Sequence, residues 1–271
     1  MSKSNNDEGV LRDSQARHGC GSDVTRLAAG NSAAKPAVDY SAYFVTGAGD
    51  PRTIVDRAVA AARGGAGVIQ VRSKPISARE LFQLGAAVAE AVAEVAAEAA
   101  SPAGAGAEAH SPRVLIDDRV DIALALRAQG FPIHGVHVGQ DDLPVTAVRQ
   151  LLGPDAIIGL TTGTLDLVHA ANEHADVLDY IGCGPFRDTP TKRSGRTPLG
   201  LAGYPPIVRA SAVPVVAIGD VTADDAADLA TTGVAGVAVV RGIMNAEDPE
   251  NYVRTLRSNF RAGQRSVTQS R

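Results

Sequence analysis

The chain has 271 residues, 45% of them hydrophobic, and a formal net charge of −4. That length supports one large domain with a real core, and the mild acidity offers no general attraction to nucleic acid or to anionic lipid. No apolar run approaches the ~20 residues that span a bilayer, and no basic-then-apolar leader opens the chain. Two cysteines, Cys20 and Cys183, leave no disulfide framework and no CxxC metal knuckle. The expectation is a cytoplasmic protein of a reducing compartment, bound to neither membrane nor nucleic acid, with Cys183 buried in a strand.

Residues 1–38 hold few large apolar side chains among many Ser, Asn, Asp, Gly and Ala, and read as a disordered tail outside the fold. From Tyr40 onward, short β-branched runs recur: AYFVT (42–46), GVIQVR (67–72), RVLID (113–117), GVHVG (135–139), AIIGLT (156–161), DYIGCG (179–184), VPVVAIG (213–219) and AGVAVV (235–240). Each is about one strand long. Most are near-continuously apolar, as parallel strands buried on both faces are. Helical composition separates them. Residues 78–100 are rich in alanine with charges held to one side, and Ser77 with Glu80 forms a capping box at their start. Residues 143–152, 164–175 and 222–232 read as further helices, with Thr164 and the Thr222–Asp225 pair as weaker starts. SPAGAGAEAHSP (101–112) is a low-complexity insertion expected to be a solvated loop. Eight strand signals alternating with helices predict an α/β fold, a (β/α)8 TIM barrel over residues 39–262, with a flexible C-terminus at 263–271. A doubly wound sheet would want a G-x-G-x-x-G loop after the first strand, and TGAGDP is not one.

In such a barrel the ligand site lies at the C-terminal ends of the strands. Gln70, Arg72 and Lys74 alternate along the second run and so share a face. If that face is interior, two cations and an amide line the mouth, and a bound polyanion would offset the cost of burying them. If it is exterior, they form an ordinary solvated edge. Asp117-Asp118 and Asp141-Asp142 end the next two runs. Such acidic pairs repel unless a cation lies between them, and carboxylates near cations suit Mg2+ coupled to phosphates better than zinc. His137 reads as a packed, hydrogen-bonded residue, and His110, His134, His169 and His174 show no metal spacing. Thr161 and Thr162 offer hydroxyls, and the AIGDVT and VVRGI loops follow the two strands that commonly build a barrel's phosphate site. GPFRDTPTKRSGRTPLG (184–200) adds a basic, hydroxyl-rich loop. The sum describes a site for a diphosphate with Mg2+ and for a second, singly phosphorylated ligand.

The set QVRSK, IDDRVDIAL, GVHVGQDDL, GPFRDTPTKR and VAIGD followed by VAVV resembles the thiamine phosphate synthase family, from about residue 40 to residue 260. The resemblance implies a (β/α)8 transferase that joins a hydroxymethylpyrimidine diphosphate to a thiazole phosphate and releases diphosphate. It implies that Gln70, Val71, Arg72, Ser73 and Lys74 bind the pyrimidine diphosphate, and that Asp118 and Asp142 hold Mg2+. It assigns Thr189, Pro190 and Thr191 to the thiazole phosphate, Lys192 to the diphosphate, and Val240 and Arg241 to the strand end facing the thiazole phosphate. Arg72, Lys74 and Lys192 are then the catalytic cations. The basic loop divides at Lys192 into a binding part and a cover.

Three positions depart from the family pattern, and one substitution keeps its chemistry: Thr161 replaces serine with the hydroxyl retained. Asp117 replaces asparagine and must face a metal or a cation if ionised. Asp220 replaces a glycine whose N–H faces the phosphate, and Arg241 replaces a small residue, often serine. Arg241 is expected to pair with Asp220 or with the phosphate. The alternatives are a thiazole tautomerase on the same barrel, which would want a histidine near Thr161-Thr162-Gly163, and a non-catalytic phosphate sensor. Carboxylation of the thiazole substrate and self-association into a homo-oligomer are left open.

Overall fold

The computed structural model describes residues 37–101, 111–188, 195 and 197–269. Eight strands pair in chain order: β1 (Tyr43–Val45), β2 (Val68–Val71), β3 (Arg113–Asp117), β4 (Gly135–Val138), β5 (Ile157–Thr162), β6 (Tyr180–Cys183), β7 (Val215–Ile218) and β8 (Gly236–Val239). All are parallel, and β8 pairs with β1, placing Tyr43 beside Ala238, so the sheet closes into a barrel. The helices are α1 (Pro51–Arg63), α2 (Ala78–Ala100), α3 (Val120–Ala128), α4 (Val145–Leu152), α5 (Leu165–Asn172), α6 (Gly200–Ala210), α7 (Ala226–Thr231), α8 (Arg241–Met244) and α9 (Pro249–Gln269).

Local chemistry starts these helices where the chain needs to turn. Asp50 caps α1, accepting the Thr53 N–H at 3.0 Å, with Pro51 at the first helical position. Ser77 and Glu80 form the reciprocal capping box of α2. Thr164 caps α5 through the Leu167 N–H at 3.3 Å. The Thr222 N–H instead donates to Asp225 in a turn, and α7 begins only at Ala226. Helices α1, α3, α6, α8 and α9 are additional to those marked by composition. Apolar residues are sparse in α9 and Pro205 and Pro206 interrupt α6, and packing on the barrel stabilises these segments. Helix α9 continues to Gln269, past the expected boundary at 262. Gly263 is buried there so closely that a Cβ would lie 2.1 Å from the Ala227 carbonyl oxygen on α7. This contact draws the segment into the fold.

Two apolar layers result. Val71, Ile116, Val136, Ile158 and Ile181 face outward into the layer under the helices. Tyr40, Tyr43, Val45, Val68, Leu115, Ile157, Tyr180, Val216 and Ala238 fill the barrel interior. Glycines make room for the interior rings: a Cβ on Gly159 would lie 2.1 Å from Cζ of Tyr180. Cys183 is buried in β6, as expected. Arg149 ties the base of the barrel together, donating to the carbonyls of Gly153, Pro154, Ala156 and Val177 and to Asp179 at 2.8 Å.

Two substitutions test this packing by thermal or denaturant unfolding. Gly159→Ala overpacks the interior and is expected to cost about 1–3 kcal/mol. Gly49→Ala, where an added methyl meets nothing within 4 Å, is expected to stay within about 0.5 kcal/mol. A similar loss in both would remove the steric explanation.

Candidate active site

A cavity opens at the C-terminal end of the barrel. Its wall includes Gln70, Arg72, Asp117, His137, Thr161 and Tyr180 on one side. On the other side are Gly219, Asp220, Val240 and Arg241. Alternation along β2 turns Gln70 inward and Val71 outward into the layer under the helices, so the Val71 side chain does not reach the cavity. Ser73 is buried outside the cavity wall. The face carrying Gln70 and Arg72 is therefore the interior one.

The cations there are already paired. The Asp117 carboxylate lies 3.1 Å from Lys74 Nζ and 3.6 Å from Arg72 Nε, and Lys74 also forms a close ion pair with Asp118. Burial works against the Lys74 ammonium, but the Asp118 and Asp117 carboxylates outweigh it and raise its pKa. Burial raises the carboxyl of Asp117, helped by the charge of Asp118 and opposed by Lys74 and Arg72. Asp117 thus faces cations, one of the two arrangements its charge allows.

Asp118 and Asp142 come together from the ends of β3 and β4. Asp142 accepts the Gly139 N–H at 2.7 Å. Its carboxyl is pushed up by burial and by contact with Asp118. Asp118 holds this position with φ of 57°, in the left-handed region that asparagine and aspartate tolerate better than most residues. Asp220 has φ of 58°, and Gly219 before it has φ of 109°, which explains why a glycine suits position 220. Across the mouth, Arg241 forms a close ion pair with Asp220, and both line the cavity. Both side chains are partly exposed, so the pair adds less than about 1 kcal/mol to folding. Its consequence is local: the arginine is held at the ligand end of β8.

A chain of polar side chains crosses the barrel beneath the cavity. Gln70 Nε2 donates to Asp117 Oδ1 at 2.5 Å, and the Tyr43 hydroxyl donates to Gln70 Oε1 at 2.7 Å. The Tyr43 and Tyr180 hydroxyls are 2.7 Å apart. His137 Nδ1 is 2.8 Å from the Tyr180 hydroxyl, and His137 Nε2 is 2.9 Å from Thr161 Oγ1. The expectation of a packed, hydrogen-bonded His137 holds, but the ring also forms cavity wall. Sequence reading passed over Tyr43 and Tyr180. Their only signal was strand parity, since Tyr43 shares a face with Val45, which pairs with Gln70.

The geometry brings together Gln70, Arg72, Lys74, Asp117, Asp118, Asp142 and Thr161 at one end and Asp220, Val240 and Arg241 at the other. Thr189, Pro190, Thr191 and Lys192, with Arg193, Ser194 and Arg196 of the part expected to act as a cover, lie outside the described residues.

The thiamine monophosphate synthase family model matches residues 42–243. A thiamine-phosphate synthase of Corynebacterium efficiens is 61% identical over 229 residues, 84% of this chain and 99% of that one. One of Corynebacterium jeikeium is 62% identical over 223 residues, 82% of this chain and 95% of that one. Among solved structures, thiamine phosphate pyrophosphorylase from Pyrococcus furiosus superposes with a TM-score of 0.67 at 29% identity, covering 83% of this chain and 98% of that one. By its matched span, its identity to these relatives and its barrel, the chain belongs to the thiamine monophosphate synthase family of transferases.

Proposed function

We propose that the protein condenses 4-amino-2-methyl-5-(diphosphooxymethyl)pyrimidine with a 4-methyl-5-(2-phosphooxyethyl)thiazole in the cytoplasm, giving thiamine phosphate and diphosphate. One observation carries this reading: a single cavity joins an end lined by Gln70, Arg72 and Asp117, with Lys74, Asp118 and Asp142 linked to Asp117 beside it, to an end lined by Gly219, Asp220, Val240 and Arg241. Two anionic groups on two substrates need two such ends.

Asp118 and Asp142 fit Mg2+. Two carboxylates forced together favour a hard dication, and among the described residues no third Asp, Glu, His or Cys completes a protein-only cage. Water and diphosphate oxygens would complete the coordination. When bound, the ion supplies charge neutralisation for the leaving diphosphate.

The chain's residues act by placement and charge. The C–O bond to diphosphate breaks with its electron pair on the leaving group, and the pyrimidine amino group feeds density into the ring. Arg72, Lys74 and Lys192 take up the charge that grows on the diphosphate. The incoming polyanion shares Arg72 and Lys74 with Asp117, so these cations are not buried unpaired before it arrives. The thiazole nitrogen then forms the C–N bond, its phosphate held by Thr189 and Thr191, by backbone near Val240, and by Arg241. No protein nucleophile enters the balance, and catalysis comes from orientation and preorganised charge.

Mixing both substrates with Mg2+ is expected to release diphosphate in step with thiamine phosphate, and no release with either substrate alone. Absence of release from the complete mixture would overturn the synthase reading. Replacing Lys192 by alanine is expected to lower kcat by roughly 10²-fold while leaving the KM for the thiazole phosphate nearly unchanged. Equal losses in both would count against a leaving-group role. Arg241→Ser and Asp220→Gly, measured singly and together for thiazole phosphate affinity, are expected to show a coupling of about 0.5–3 kcal/mol. Strict additivity would mean that the pair does not act as a unit.

A further inference from the structure

The polar chain across the barrel has a direction, and proton bookkeeping reveals what sets it. A carboxylate only accepts hydrogen bonds. With Asp117 Oδ1 at 2.5 Å, Gln70 must therefore turn its amide N–H toward it, because an amide oxygen there would set two acceptors against each other. Gln70 Oε1 then faces Tyr43 and takes that hydroxyl's only proton. Tyr43 has none left for Tyr180, so the Tyr180 hydroxyl donates to Tyr43. Tyr180 in turn has none left for His137, so His137 Nδ1 must carry a proton and donate. In the neutral imidazole, Nε2 is then the acceptor, and the Thr161 hydroxyl donates to it. Both tyrosines are fully protonated links, since burial raises their pKa values well above the ordinary phenol value.

We infer that Asp117 is a positioning residue: through Gln70, Tyr43 and Tyr180 it holds His137 in the Nδ1–H tautomer and so fixes Thr161 as a hydrogen-bond acceptor toward the cavity. The Thr161 proton is committed to His137, which leaves only oxygen lone pairs for a ligand. The wall at that point is matched to a ligand N–H and mismatched to a ligand carbonyl. An asparagine at position 117 removes the constraint, because an amide both donates and accepts. The Gln70 amide is then free to turn over, every hydroxyl along the chain can reverse, and His137 can take the Nε2–H form.

The inference rests on the hydrogen-bond geometry and not on the reaction, so it is tested without substrate. Long-range 1H–15N correlation spectra of the histidine rings are recorded on the full-length protein at mildly alkaline pH. His137 is assigned by its loss in His137→Gln. In the unsubstituted protein its Nδ1 is expected to show the protonated, pyrrole-like shift and its Nε2 the pyridine-like one. In Asp117→Asn these are expected to exchange or average. His134 serves as the internal reference. Its Nδ1 accepts the Val114 N–H at 3.0 Å, which fixes the opposite tautomer independently of the chain, and its signals are expected not to move.

Tyr43→Phe cuts the chain in the middle and is expected to release His137 in the same way with Asp117 intact. This keeps the inference testable if Asp117→Asn does not fold. An Nε2–H His137 in the unsubstituted protein, or an unchanged Nδ1–H form in either folded variant, would overturn it.

Discussion

The structure depends on satisfying polar groups inside a closed barrel. Closing eight parallel strands removes every sheet edge, and it also creates an interior that side chains must fill. Here the upper part of that interior is not purely apolar. It is spanned by Asp117, Gln70, Tyr43, Tyr180, His137 and Thr161, which hydrogen-bond in one continuous series. Buried polar groups are costly unless each finds a partner, and a fully connected network fixes one arrangement of the strands that carry it. These residues come from six strands, so the network determines both the floor of the cavity and the relative placement of its walls. Gly159 and Gly182 belong to the same design, since side chains there would collide with Tyr180 or crowd His137.

Charge is arranged on this frame in two places. At one end, Asp117 and Asp118 hold Lys74 and Arg72 in position without an anion present. Any anion that reaches this end therefore meets oriented cations and need not gather mobile ones. At the other end, Asp220 and Arg241 form a pair across the ends of two adjacent strands. The left-handed backbone at Asp220 is the same in kind as that at Asp118, and each aspartate pairs with a cation from a neighbouring strand end.

Much of this was legible in the chain. Eight apolar runs at barrel spacing, the capping box at Ser77 and the acidic pairs closing two adjacent runs each follow from local chemistry, and the structure has each where the sequence indicates. The interior tyrosines were not legible. In a near-continuously apolar strand such as DYIGC, both faces look alike, and only register shows that Tyr180 points inward beside Tyr43. His137 was legible as a packed residue but not as cavity wall, because its partners Tyr180 and Thr161 lie on other strands. The extension of α9 beyond residue 262 depended on a glycine fitting against α7, a contact that no periodicity encodes.

The sequence by itself determined the alternation of strands and helices, and hence the barrel, and it determined which chemical groups stand at the strand ends. Both are properties of short segments: hydrophobic period, capping residues and turn chemistry act within a few residues. Only the tertiary structure decided which groups meet. Asp117 could have faced a metal or a cation, and closure of β2 against β3 placed it on Lys74 and Arg72. Arg241 could have faced Asp220 or a phosphate, and the pairing of β7 with β8 set it against Asp220. The direction of the hydrogen-bond chain likewise exists only once six strands have brought its members within about 3 Å, because a proton's donor and acceptor are defined by the pair and not by either residue alone.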